Sequence, residues 1–136
     1  MKSCINVSKN KSKRIYDNVV FDSAVEMKYY VDVILPGVAN GEITFYERQK
    51  KYILQPSFVR DGKRVLPIEY KADFYVEYSD GTTKVIDIKG CPDAGAILKR
   101  KMFWYVYPDL DYVWLCYSAI DGGWCTYDPG RRNAKN

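Results

Sequence analysis

An acidic residue and a lysine alternate with apolar residues near the middle of this 136-residue chain. In the extended segment Val85–Lys89, residues two apart share a face, so Asp87 and Lys89 point to the same side of a strand. A second acid, Asp73, lies in the strand-like segment before it. Carboxylate oxygens are the ligands that hard divalent ions such as Mg²⁺ or Mn²⁺ prefer. These residues therefore predict a metal site if the two strands bring them together.

The turn between the two strands decides whether the acids meet. A two-residue loop would place Asp73 across from Ile88 and mix apolar with polar positions. A three-residue loop, with Gly81 in the left-handed conformation, places Asp73 across from Asp87 and keeps one face of the hairpin apolar. We therefore predict the three-residue loop. Directly opposed carboxylates repel each other, which favours a cation between them, although an exposed, solvated sheet face remains a second interpretation.

A third acid, Glu26, lies at the start of a predicted helix. Ser23 is a typical N-cap residue, and Glu26 three positions later completes a capping-box pattern. Two roles are open for this glutamate: it closes the capping box, or its carboxylate contributes to the metal site.

The elements that must position these residues follow from apolar periodicity and from turn-forming residues. Their order of helix, strands, helix and strand predicts a single α/β domain with a mixed sheet. The predicted elements are a helix over 23–35 ended by Pro36 and Gly37, an extended segment over 43–58, a turn at 60–63, strands over 68–78 and 83–89, a helix over 95–107, a strand over 111–118, and a short edge strand or loop over 121–130.

The composition narrows the chemistry further. The chain has no histidine, which excludes Ser-His and Cys-His nucleophile pairs and histidine-ligated metal sites. Its four cysteines form no C-x-x-C pair, so a structural zinc site is not expected. Catalysis would have to use carboxylates, lysines, hydroxyls or thiols.

The charge is unevenly distributed along the chain. Residues 1–14 hold five basic residues and no acid, and residues 131–136 hold three and no acid, whereas residues 15–130 hold 13 basic and 17 acidic residues. We therefore divide the chain into a basic N-terminal arm (1–14), one domain (15–130) and a basic C-terminal tail (131–136). Basic arms on an acidic body favour a polyanionic partner, and improved solubility is the simpler alternative.

The order and flanks of these residues resemble the PD-(D/E)XK nuclease superfamily. The matching segments are Phe21–Glu26 on the first helix, Ala72–Phe74 on one strand and Asp87–Gly90 on the next. Within that superfamily the chain is similar to small phage-encoded endonucleases, including endonuclease I-type Holliday junction resolvases, from about Phe21 to Ser118. One position departs from the pattern: Ala72 occupies the place of the proline.

The resemblance implies a restriction-endonuclease-like fold, with a central mixed β-sheet flanked by helices, and a role for each site residue. Asp73 and Asp87 would hold Mg²⁺ or Mn²⁺ together with the Ile88 carbonyl, and Glu26 would complete a second site or bind through water. Lys89 would orient or help to deprotonate the attacking water. The products would carry a 5′-phosphate and a 3′-hydroxyl.

Binding of DNA is expected from basic residues around this site. On the predicted second helix they could line a phosphate path, or they could form a solvated charged face. The residues predicted to contact DNA are Lys13, Arg14, Lys99, Arg100 and Lys101.

The sequence thus predicts a metal-dependent endodeoxyribonuclease. The preferred substrate is a four-way junction or other branched DNA, which favours a homodimer that cuts two strands. The alternatives are a nicking or restriction-like nuclease on duplex DNA, and a DNA-binding accessory protein that does not cleave. No membrane segment or signal peptide is recognisable, so we expect a cytoplasmic, phage- or prophage-encoded protein in a bacterial host.

Overall fold

One five-stranded sheet and two short ribbons make up the β-structure in residues 11–128, the part of the chain that this computed structural model describes. Residues 1–10 of the predicted basic arm and the whole predicted tail, 131–136, lie outside the described residues. In chain order the elements are a 3₁₀ turn (Lys11–Arg14), β1 (Ile15–Tyr16), β2 (Val19–Val20), α1 (Ala24–Tyr29), a π-helical turn (Tyr30–Ile34), α2 (Leu35–Asn40), β3 (Ile43–Gln55), β4 (Phe58–Arg60), β5 (Lys63–Val65), β6 (Ile68–Tyr78), β7 (Thr83–Ile88), α3 (Ala94–Val106), β8 (Tyr112–Ser118) and β9 (Gly123–Thr126).

The central sheet is mixed, in the order β3-β6-β7-β8-β9. Strands β7 and β8 are parallel, and the other neighbouring pairs are antiparallel. A parallel pair needs a long crossover connection, and α3 provides it between β7 and β8. The predicted α/β class with a mixed sheet is therefore confirmed. None of the described helices is both long and apolar enough to span a membrane.

The hairpin of β6 and β7 has the predicted register. Phe74 pairs with Ile86, so Asp73 and Asp87 are the next opposed positions along the two strands. The backbone N–H of Tyr78 bonds to the carbonyl of Thr82 at 2.9 Å, which closes a three-residue loop. Gly81 has a φ of 88°, the left-handed conformation that this loop requires.

The first helix begins as predicted but ends later. Helical structure continues past Pro36 to Asn40, so the predicted end at Pro36 is wrong. The reason is the π-helical turn before it: Pro36 falls in the first turn of α2, where a missing N–H is tolerated. Gly37 is buried against β3, and a Cβ added there would lie 2.6 Å from Ile43 Cδ1.

Apolar clusters cover both faces of the sheet. The first cluster joins the α1 side to β6 and β7 through residues such as Tyr29, Phe74 and Ile86. The second joins α3 to the other face through Phe103, packed with Val85 and neighbouring aromatic residues. Because alternate residues of β7 enter different clusters, the helices lie on opposite faces of the sheet.

The β3–β6 pair changes face in its middle. Phe74 packs in the first cluster and Ala72 in the second, although residues two apart on a regular strand share a face. The pairing on either side places Gln49 of β3 opposite the intervening Asp73. Gln49 has a φ of 56°, which is uncommon for any residue with a side chain. This irregularity of the backbone lies at the candidate site.

Candidate metal centre

Asp73 lies at the point where the strand pair changes face. Its Oδ2 accepts a hydrogen bond of 2.8 Å from the backbone N–H of Ile88 on β7. Burial and the neighbouring Asp87 and Glu26 carboxylates together raise the pKa of Asp73 to about 10. In the absence of a cation, this carboxyl therefore keeps its proton at neutral pH.

Asp87 is buried on the adjacent strand and is held by two donors. Its Oδ2 accepts a hydrogen bond of 2.7 Å from the Tyr70 hydroxyl and lies 2.7 Å from the ammonium of Lys89. The Lys89 ammonium also lies 5.1 Å from the centre of the Trp114 ring. The backbone N–H of Lys89 bonds to Leu115 of β8 at 2.8 Å, so the lysine is fixed by the sheet although β7 has ended.

Glu26 is 2% exposed, and its carboxylate contacts β3. Its Oε1 accepts a hydrogen bond of 3.0 Å from Gln49 and lies 3.6 Å from the Arg48 guanidinium. The predicted cap is present, because the Ser23 hydroxyl accepts the Glu26 N–H at 3.1 Å. The glutamate side chain, however, is directed to the centre of the molecule. Burial and the nearby Asp22 raise the pKa of Glu26 to about 7, while Arg48 and Gln49 lower it in part.

Three acids from the helix start and β6 come close enough to share an ion. One carboxylate oxygen from each of Asp22, Glu26 and Asp73 lies within 4.8 Å of the others. Asp22 was not predicted as a ligand, because it precedes the extended N-cap Ser23, where helical spacing does not yet apply. Asp73 touches this group and Asp87, so the predicted Glu26, Asp73, Asp87 and Lys89 converge on one region.

The donor set fits a hard divalent cation. All the side-chain donors are carboxylate oxygens, the type that Mg²⁺ and Mn²⁺ prefer. Burial raises the pKa values of Glu26 and Asp73, neighbouring carboxylates act in the same direction, and a bound cation would offset both effects. Ile88 supplies its backbone N–H to Asp73, and the predicted role of its carbonyl as a ligand stays a prediction.

Sequence reasoning missed the residues that hold the acids in place. Tyr70 binds Asp87, and Gln49 and Arg48 bind Glu26. The regular alternation of β6 gave no indication of Tyr70, because its contact with Asp87 depends on the change of face near Asp73. The positive φ of Gln49 has no sequence signal, since glutamine is not a residue that favours this conformation.

An open cleft of about 470 Å³ leads to these residues. Asp73, Asp87 and Lys89 line this cleft, together with Lys71 and Lys99. The cleft therefore combines the acids with three lysines, which suits an anionic substrate. Lys99 lies where the sequence predicted it, beside the site.

The other residues predicted to contact DNA divide into exposed and interior positions. Lys13 and Lys101 are exposed. Arg100 is buried: its guanidinium binds Asp128 at 3.0 Å and stacks 4.1 Å from the centre of the Trp114 ring. These contacts commit Arg100 to the interior, and the predicted DNA contact does not fit it.

Arg14 also has a structural role in the described residues. Its guanidinium donates hydrogen bonds of 3.1 Å to the backbone carbonyls of Phe21 and Asp22. These bonds fix the segment that leads into α1, next to the acidic group. Its side chain is therefore engaged on the protein itself, and a DNA contact would have to compete with these bonds.

Comparison with known proteins identifies a family. A search of curated proteins finds no match to the chain. The family model described as "Protein of unknown function (DUF1064)" matches residues 7–120, most of the chain and the whole candidate centre. The chain therefore belongs to the DUF1064 family.

Proposed function

We propose that the protein is a metal-dependent endonuclease that hydrolyses phosphodiester bonds of DNA. The observation that carries this proposal is the convergence of four residues on one region: Asp73, Asp87 and Lys89 line one cleft, and the buried Glu26 shares an acidic group with Asp73. A carboxylate pair on neighbouring strands, with Asp87 buried, Asp73 half-buried and a lysine ammonium 2.7 Å from Asp87, is a costly arrangement unless it serves a ligand or a reaction.

Asp22, Glu26, Asp73 and Asp87 are the residues that would hold the ion. A bound Mg²⁺ or Mn²⁺ would polarise the scissile phosphate and lower the pKa of the attacking water. The hydrogen bond from Ile88 fixes one oxygen of Asp73, and the Tyr70 hydroxyl fixes one oxygen of Asp87. Both acids are thus held in place by neighbours before any ligand arrives, which reduces the reorganisation needed on binding.

The Lys89 ammonium lies 2.7 Å from Asp87. This ammonium would donate a hydrogen bond to a phosphate oxygen and stabilise the negative charge that develops as water attacks. Lys99, which lines the same cleft, would bind a neighbouring phosphate. With the acids holding the ion and the two lysines binding phosphates, hydrolysis could proceed in a chain without histidine.

Branched DNA and a homodimer remain the substrate and assembly that the resemblance to endonuclease I-type resolvases implies. Neither is needed for the chemistry of the centre. The same cleft would accept duplex DNA, so the substrate must be determined by comparison.

The test is a cleavage assay with Mg²⁺ and with Mn²⁺ on four-way junction, flap, single-stranded and linear duplex DNA. Asp87→Asn and Lys89→Met should each abolish cutting. Lys84→Met is the matched control, because Lys84 is an exposed cation on the same strand and should be replaceable without loss. Absence of cutting by the wild type, or equal cutting by the Asp87 variant prepared in parallel, would disprove the proposal.

A further inference from the structure

Strands β4 and β5 form a two-stranded ribbon between the end of β3 and the start of β6. The ribbon therefore lies at the end of this strand pair away from the β6–β7 loop. Its three residue pairs run from Phe58 with Val65 to Arg60 with Lys63. Every residue from Pro56 to Leu66 is exposed. Short isolated hairpins are marginally stable in water, so a ribbon with so little support from the body suggests a surface that a partner covers.

The tip of the ribbon is basic. Arg60, Lys63 and Arg64 lie there with one acid, Asp61. The Arg60 and Asp61 side chains are 80% and 91% exposed and 3.7 Å apart, so their ion pair is weak and screened by solvent. The tip therefore offers positive charge to an anionic partner.

Apolar side chains accompany these cations nearer the base of the ribbon. Val59 is 70% exposed and Leu66 is 69% exposed, with Phe58 and Val65 partly exposed beside them. A second copy of this chain could cover such a surface. In a two-fold interface, however, the same patch meets itself, and the basic tips would repel each other. The charge favours a nucleic acid over a second copy.

A pair of lysines connects the ribbon to the candidate centre. Lys51 of β3 lies directly opposite Lys71 of β6, and both are exposed. Like charges at directly opposed positions destabilise a strand pair, unless an anion lies against both. Lys71 also lines the cleft that contains Asp73. Asp73 lies five positions after Ile68, the first residue of β6, which is about 17 Å along the strand.

We propose that the β4–β5 ribbon is a DNA-binding element that lies in a groove of the duplex adjacent to the phosphate being cut. The major groove, about 12 Å wide, admits a two-stranded ribbon whose strands lie about 4.8 Å apart. Arg60, Lys63 and Arg64 contact backbone phosphates, and Lys51 and Lys71 bind the strand as it passes to the centre. The choice of DNA as the partner rests on the proposed function. The test does not, because it measures binding and needs no cleavage.

The test measures DNA affinity apart from cleavage. In an Asp87→Asn background, a labelled linear duplex is titrated at several salt concentrations with the parent protein and with the R60A/K63A/R64A variant. Three lost phosphate contacts should lower the slope of log Kd against log salt by about 0.9 each and weaken binding at least tenfold. Lys63→Ala alone should lower the slope by about 0.9, whereas the matched control Lys84→Ala should leave it unchanged.

Two further measurements separate this proposal from its alternatives. Hydrolysis of bis(p-nitrophenyl) phosphate with Mn²⁺, in proteins that retain Asp87, should be the same for the wild type and the triple variant. A wild type inactive on this ester and on DNA would disprove the endonuclease, while the binding titration would still test the ribbon. Circular dichroism and the thermal midpoint check that each variant is folded.

The proposal would be overturned if the folded triple variant bound DNA with unchanged affinity and salt dependence. It would also be overturned if sedimentation velocity showed that the triple variant loses self-association while its DNA affinity stays the same, because the ribbon would then be an interface between copies.

Discussion

Replacing Asp73 by asparagine should stabilise the protein in the absence of a divalent ion, although it removes a proposed ligand. Burial and the neighbouring Asp87 raise the pKa of Asp73 from 3.8 to about 10. The folded protein therefore retains a proton that the unfolded chain releases, so stability is lost as the pH rises from about 4 towards 10. Asparagine carries no charge, keeps an acceptor for the Ile88 N–H, and can donate to Asp87.

The size of the effect follows from this difference in proton binding. Each pH unit above 3.8 costs the folded state about 1.4 kcal/mol, which gives at most about 4 kcal/mol at pH 7. We expect Asp73→Asn to gain about 2 kcal/mol or more at pH 8 and close to nothing at pH 4, because the wild type loses stability over this range and the asparagine variant does not. A gain of that size should raise the thermal midpoint by several degrees for a domain of this length.

Unfolding by urea and by heat, in EDTA and at pH values from 4 to 9, measures this difference. Glu69→Gln is the matched control, because Glu69 is an exposed acid on the same strand. Addition of Mg²⁺ should stabilise the wild type and have little effect on Asp73→Asn. If Asp73→Asn is no more stable than the wild type at pH 8, or if its gain does not change with pH, the inferred rise in the pKa of Asp73 is wrong.

Three other changes test neighbouring parts of the structure. Tyr70→Phe removes the hydroxyl that donates to Asp87, and calorimetric affinity for Mn²⁺ should fall about tenfold; an unchanged affinity would exclude this role. Because the pKa of Glu26 is raised to about 7, affinity for Mg²⁺ should increase as the pH passes through neutrality, and Glu26→Gln should remove that step. Gly37→Ala should cost about 1–3 kcal/mol in urea unfolding, since its Cβ would meet Ile43, and adding Ile43→Val should recover part of the loss; simple addition of the two losses would contradict this packing.

Local rules were sufficient to predict the hairpin that carries two of the acids. The register follows from the need to keep one apolar face, and Gly81 can adopt the left-handed conformation that the three-residue loop requires. The same reasoning located α3 to within one residue at each end, since Pro108 follows its end; the structure adds that Asp93 caps its start. These features depend on neighbours in sequence.

The features that were not predicted depend on contacts between distant segments. A proline inside a helical segment usually ends the helix. Here the π-helical turn places Pro36 in the first turn of α2, where a missing N–H is tolerated. Arg100 belongs to a basic run that suggests an exposed surface, and only the tertiary structure shows that it pairs with Asp128 in the interior. Gln49 supports Glu26 from a backbone conformation that its residue type does not favour.

The ladder of β3 and β6 has a consequence for how this domain could diversify. The segment from Pro56 to Leu66 is continuous in sequence and exposed throughout. It connects the end of β3 to the start of β6. Insertions or deletions in this segment should leave the register at Asp73 unchanged, because the residue pairs that set this register lie between β3 and β6 and not in the ribbon. Related proteins could therefore vary this segment, and with it what they recognise, while the residues of the candidate centre keep their places.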